Sequence, residues 1–86
     1  MIILAAMKKI KLKAFGVTKE ILGGREIFFD FHGETVSDLR EALQSQFSEL
    51  KGLNSLLVAV NSKYGEDHRS ISEADEIALI PPVSGG

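Results

Sequence analysis

Thr35-Val36-Ser37-Asp38-Leu39-Arg40-Glu41-Ala42-Leu43-Gln44-Ser45-Gln46-Phe47-Ser48-Glu49-Leu50 is the stretch that decides the fold. Val36, Leu39, Leu43, Phe47 and Leu50 recur at spacings of three and four, which lines one side of an α-helix with apolar groups. Thr35 stands where an N-cap is needed, and Asp38 brings negative charge to the positive end of the helix. Gly52 is placed to stop it. Arg40, Glu41 and Glu49 fall off the stripe and are expected to face water.

Working outward, the flanking segments change period from 3.6 to 2. Ile10, Leu12 and Ala14 alternate with Lys9, Lys11 and Lys13, the pattern of a half-buried strand that Phe15-Gly16 ends. The lysines, with Lys8, read as its wet face. Val17 to Leu22 suits a short helical turn closed by Gly23-Gly24. Glu26 to His32 reads as a second strand with Ile27, Phe29 and Phe31 on one face and Phe28, Asp30 and His32 on the other. Beyond the helix, Leu56 to Val60 is an apolar run of strand length, followed by Asn61 to Gly65 as a polar turn or short hairpin. Residues 66–75 are polar, with Ile71 and Ala74 available to pack inward. Glu76 to Ile80 is the last strand, halted by Pro81-Pro82, which offer no N–H to a ladder.

Strand, strand, helix, strand, irregular segment, strand is an α+β order, and one main helix covers one face of a sheet. The expectation is a two-layer β-grasp (ubiquitin-like) domain with a mixed four- to five-stranded sheet. It occupies residues 1–80, residues 1–6 being an N-terminal extension with Met7 as an alternative start, and residues 81–86 form a flexible Gly-Gly tail. The last strand is too apolar for a sheet with one wet side. If Ile77 and Leu79 meet the helix, Ala78 and Ile80 point away, as does Phe28. An apolar patch of this kind marks a partner surface, so Phe28, Ala78 and Ile80 are the candidate interface.

Composition narrows the chemistry. The 86 residues hold 10 basic and 12 acidic side chains, a net charge of −2, and no cysteine. One small core fits that length. Near-neutral charge and few aromatics argue against nucleic acid. Without cysteine there are no disulfides, thiolate metal sites or thiol nucleophiles. No run reaches membrane-span length, and a cytoplasmic protein is expected. His32 and His68 stand apart from any metal-ligand cluster, and Glu73, Asp75 and Glu76 suit a solvated turn, so no metal site is expected. No phosphate-binding loop is present.

The chemistry then falls to Pro81-Pro82-Val83-Ser84-Gly85-Gly86. Glycine has no Cβ, so a Gly-Gly end passes a channel too narrow for side chains and leaves its carboxylate open to attack. The prolines favour an extended, pre-ordered segment. The four residues beyond them reach about 13–14 Å, enough to carry Gly86 from the domain surface into a partner's buried site. A carboxylate needs activation before it reacts, and the activating enzyme must be a separate protein.

Ile77-Ala78-Leu79-Ile80-Pro81-Pro82-Val83-Ser84-Gly85-Gly86 closely resembles the ending of the small, sulfur-carrier subunits of molybdopterin synthase. Lys11-Leu12-Lys13-Ala14-Phe15, Leu57-Val58-Ala59-Val60-Asn61 and Asp75-Glu76 support the match, which runs from Met7 onward. Gly-Gly alone marks only the wider ubiquitin-like group. The chain departs at Gly16-Val17-Thr18-Lys19-Glu20, where many relatives carry Ala followed by an Arg-Glu pair. The resemblance implies that an ATP-dependent enzyme adenylates the Gly86 carboxylate and that a sulfur donor, a sulfurtransferase or desulfurase, converts it to a thiocarboxylate. The tail then enters the large synthase subunit, where two carriers supply the dithiolene sulfurs of one pterin in molybdenum cofactor biosynthesis. Gly86 is the sulfur-bearing catalytic group, Gly85 permits access, and Pro81, Pro82, Val83 and Ser84 guide the tail. The acid–base residues belong to the large subunit, and the chain binds no cofactor of its own. A thiamine-pathway sulfur carrier with the same chemistry, a ubiquitin-like modifier joined to lysines through Gly86, and a binding module with an inert tail are the alternatives.

Overall fold

A computed structural model describes residues 7–53 and 56–82. Val83, Ser84, Gly85 and Gly86, to which the sequence assigns the chemistry, lie outside the described residues, as do residues 1–6. The elements are β1 (Lys8–Ala14), α1 (Val17–Leu22), β2 (Glu26–Phe31), α2 (Val36–Gln46), a 3₁₀ turn (Ser48–Gly52), β3 (Leu57–Val60), β4 (Lys63–Tyr64) and β5 (Glu76–Ile80). The strands form one five-stranded sheet in the order β2-β1-β5-β3-β4. β1 is antiparallel to β2 and parallel to β5, which in turn is antiparallel to β3. This is the mixed sheet and single main helix of the expected β-grasp arrangement.

The core lies between α2 and one face of the sheet. Ile10, Leu12, Val58, Ile77 and Leu79 from the strands are buried against Val36, Leu39 and Leu43 of α2, with Phe31, Leu50 and Ile71 closing the sides. α2 starts as its sequence requires. Thr35 Oγ1 accepts from the Asp38 N–H at 3.2 Å, and the Asp38 carboxylate accepts from the N–H groups of Thr35 and Glu34 at 3.2 and 3.0 Å. This reciprocal box satisfies donors that have no partner inside the helix. Those backbone hydrogen bonds hold the Asp38 carboxyl below its ordinary value.

The expected stripe is partitioned differently. The helix ends at Gln46, with Phe47 as its cap, and Leu50 sits in the 3₁₀ turn that Gly52 closes. Phe47, Leu50 and Leu53 are three apart, and 3₁₀ winding stacks i and i+3 on one side, so the apolar stripe survives while the helix tightens. Arg40 is half-buried rather than solvent-facing. It donates to the Leu56 carbonyl and lies 3.9 Å from Asp67, clamping α2 to the entry of β3. Lys8 shares the parity of Ile10, not of the other lysines, and its ammonium donates to the carbonyls of Gly33 and Ile71 at 3.1 and 3.2 Å. Ile71 packs inward but Ala74 is exposed. Asn61 and Ser62, both at positive φ (53° and 69°), make the tight turn between β3 and β4, the handedness that fits a two-residue hairpin.

Candidate functional site

β5 is central in the sheet, flanked by β1 and β3, and the tail begins where it ends. Its burial alternates: Ile77 and Leu79 are sealed, Ala78 is half-buried, and Ile80 is 37% exposed. Alternation within a strand sends neighbours to opposite faces, so Ala78 and Ile80 stand on the face away from α2. Leu57 pairs with Ile80, and Ala59 pairs with both Ala78 and Tyr64. Directly opposed residues share a face. Ile80, Leu57, Ala78, Ala59 and Tyr64 therefore form a continuous, largely apolar surface, with Leu57 and Tyr64 well exposed. Phe15, the residue after buried Ala14, comes level with Ile80 when the β1–β5 register is continued by one and is half-exposed.

Phe28 is on the same face and 65% exposed, but it does not join this surface. β1 runs between them, and its outer face is lysine: Lys11 lies opposite Phe28, and Lys13 opposite Ala78. Lys11 reaches Glu26 at 3.5 Å and Lys13 reaches Glu76 at 3.2 Å, so a charged row separates Phe28 from Ala78 and Ile80. Phe15 was not singled out from sequence, although extending the alternation of Ile10, Leu12 and Ala14 by one position exposes it.

The root of the tail is anchored by the β1–α1 turn. Gly16 has φ 57° and ψ −135°, and a Cβ built there would stand 3.0 Å from the Pro81 ring. Glycine thus allows both the turn and the close approach of Pro81. Thr18, fully buried, accepts from the Phe15 N–H at 2.8 Å through a hydroxyl whose proton faces the Phe15 carbonyl, with the Leu79 carbonyl 3.4 Å away. The end of β5 is held against that turn, and Pro82 leads outward as an exposed residue. A recess of about 420 Å³ beside it is lined by Lys13, Phe15, Lys19, Arg25 and Glu26 among others.

Most of the remaining polar candidates are engaged structurally. Asp75 accepts from the Ser72 N–H and from Asn61 Nδ2, both at 2.8 Å, and Arg69 lies 3.7 Å away. The Ser72 backbone hydrogen bond leads the effects that keep its carboxyl below the ordinary range. Glu73 accepts from the Lys9 N–H at 2.7 Å. His32 is exposed, and His68 lies 3.3 Å from Glu66 at the surface. Among the described residues no group of His, Asp and Glu has metal-binding geometry, and no helix is long and apolar enough to cross a membrane.

Comparison with known proteins agrees with this geometry. The ThiS family matches over residues 12–86. A molybdopterin synthase sulfur carrier subunit of Dictyostelium discoideum is 35% identical over 91% of this chain and 96% of that relative, and one of Caenorhabditis elegans is 32% identical over 93% and 100%. In three dimensions, small archaeal modifier protein 1 from Methanosarcina acetivorans superposes with a TM-score of 0.73 at 26% identity, covering 94% of this chain and 99% of that one. With its β-grasp sheet, its central strand leading into Pro81-Pro82, and a match that runs through Gly86, the chain belongs to the ThiS family, among the molybdopterin synthase sulfur carrier subunits.

Proposed function

We propose that this chain carries sulfur for molybdopterin synthesis on the carboxylate of Gly86. The observation that carries the reading is the match to molybdopterin synthase sulfur carrier subunits over as much as 93% of the chain, together with the ThiS family match that extends to Gly86. In the first step the carboxylate attacks the α-phosphorus of ATP on a separate adenylating enzyme, and pyrophosphate leaves. A sulfide equivalent from a sulfurtransferase or desulfurase then attacks the acyl carbon and displaces AMP, leaving a thiocarboxylate. In the large synthase subunit the thiocarboxylate sulfur attacks a carbon of the pterin precursor and displaces an oxygen substituent. Water then cleaves the acyl–sulfur bond of the resulting thioester, leaving the sulfur on the pterin and restoring the original carboxylate. The chain contributes position rather than acid–base groups: no cofactor is held by it, ATP is the partner's substrate, and the reactions are cytoplasmic.

The outer surface of Ile80, Leu57, Ala78 and Phe15 is the docking face for these partners. It surrounds the tail root, so a partner that buries it receives the tail at a fixed origin. Removing such apolar area from water favours association by about 25 cal/mol per Å² before the costs of immobilisation. The test is reconstitution: the thiocarboxylated chain, a molybdopterin synthase large subunit and the pterin precursor yield a dithiolene, and the chain lacking Gly86 yields none. Dithiolene formation without Gly86 overturns the reading.

The likeness to a small archaeal modifier protein favours a second use of the same carboxylate, isopeptide bonding to lysines. Covalent adducts of the chain on other proteins, lost when Gly86 is removed, are its signature. A thiamine-pathway carrier is distinguished by which pterin or thiazole precursor accepts the sulfur.

A further inference from the structure

Among the described residues β2 is a terminal strand, with β1 on one side and no strand on the other. The Ala14 N–H donates to the Arg25 carbonyl at 2.8 Å, which makes Ala14 and Arg25 a hydrogen-bonded pair. In an antiparallel ladder such pairs alternate with pairs whose backbone groups point the other way. Counting along the register, Glu26, Phe28 and Asp30 therefore turn their N–H and C=O groups to the free edge. Beside that edge runs an open groove of about 870 Å³, floored by Phe29, Phe31 and Ala42 and rimmed by Asp30, Asp38 and Glu41.

Charge selects what fits there. Asp30 and Glu41 are exposed and make no ion pair among the described residues. Pairing with a second copy through the same edge is opposed: centred antiparallel on Phe28, it sets Glu26 opposite Asp30, and like charges directly opposed are destabilising. The other side of β2 displays the complementary solution. There β1 places Lys13, Lys11 and Lys9 opposite Glu26, Phe28 and Asp30.

We propose that the free edge of β2 and the groove beside α2 take an extended, lysine- or arginine-bearing segment of a partner protein as a sixth strand. Backbone hydrogen bonds to Glu26, Phe28 and Asp30 supply affinity, and alternate side chains supply specificity. One set of the segment's residues lies over the Glu26-Phe28-Asp30 face, and the other set enters the acid-rimmed groove. This surface is separate from the docking face around Ile80, with the lysines of β1 between them, so it is available while the tail is engaged. The inference stands independently of the tail chemistry.

The test uses the full chain, labelled for amide NMR, and a capped peptide of alternating lysine and valine, about nine residues long to span the strand. Amide shifts and slowed hydrogen exchange are expected at Glu26, Phe28 and Asp30, with shifts at Ala42 and Ser45. The same peptide with glutamate for lysine leaves these signals unchanged. In Asp30→Lys/Glu41→Lys the lysine peptide binds about tenfold more weakly or worse, and the glutamate peptide now binds. If that variant unfolds, Asp30→Asn/Glu41→Gln serves, with a smaller loss in the same direction. Shifts centred on residues 66–76, an equal response to the glutamate peptide, or no response overturn the proposal.

Discussion

Within β5, Ile77 and Leu79 are fully enclosed while Ile80, next along the chain, is 37% exposed. The same backbone thus carries two unlike surfaces. The inner one meets α2 and is indispensable to folding. The outer one continues through Leu57, Ala59 and Tyr64 and ends at the root of the tail. A sheet with helices on one side needs apolar residues on only one face, so an apolar outer face at its centre is not required by the core. The difference separates the face that the core requires from the face we propose for partners.

That separation is open to breakage. The largest effect is expected at Leu79→Ala, which removes methyl groups from a sealed site and costs about 2–5 kcal/mol in denaturant unfolding. If its cost is no more than that of Ile80→Ala, the two faces are not distinct. Ile80→Asp should reverse the pattern, weakening the complex with the large subunit or the adenylating enzyme by about 1–3 kcal/mol in a binding titration. Its unfolding free energy should change by about 1 kcal/mol or less. Phe28→Asp, beyond the lysine row, should affect the same titration far less, and an equal loss would join Phe28 to the docking face.

Smaller effects sharpen the comparison on the helix side. Thr35→Ala removes the cap of α2 and should cost about 0.5–2 kcal/mol, read by chemical denaturation, without altering partner affinity. The carboxyls of Asp38 and Asp75 sit below their ordinary value of 3.8 in the fold. Groups depressed in the native state contribute stability that is fully present above the unfolded value and is lost as pH falls through the folded one. Unfolding followed from pH 6 down to about pH 2 should show this loss begin near the ordinary carboxylate range. Asp38→Asn should flatten the curve. Least of all, Lys13→Ala breaks a pair whose side chains are 37% and 49% exposed, and should change stability by no more than about 0.5 kcal/mol.

The layer order and the facing of the strands were legible because period-two alternation maps directly onto burial: Ile10, Leu12, Ile77 and Leu79 all lie where their spacing puts them. The N-cap was legible because Thr35 and Asp38 act locally. The end of α2 was not, since Phe47, Leu50 and Leu53 keep one apolar side under either winding. Arg40 and Lys8 were misread because their partners are backbone carbonyls distant in sequence, which composition does not reveal. For the docking face, Ala78, Ile80 and Phe28 were named from alternation alone. Their grouping depended on strand order, and the placing of β1 between β2 and β5 set Phe28 apart. The chemistry of the tail was read from Pro81 to Gly86 as side-chain types, and its test is chemical.

The most direct measurement is the intact mass of the chain after incubation with the adenylating enzyme, ATP and sulfide. A shift of one oxygen-for-sulfur exchange, localised to Gly86 and absent from a chain lacking it, is predicted. An unmodified mass, with the enzyme active on another carrier, would contradict the sulfur-carrier account.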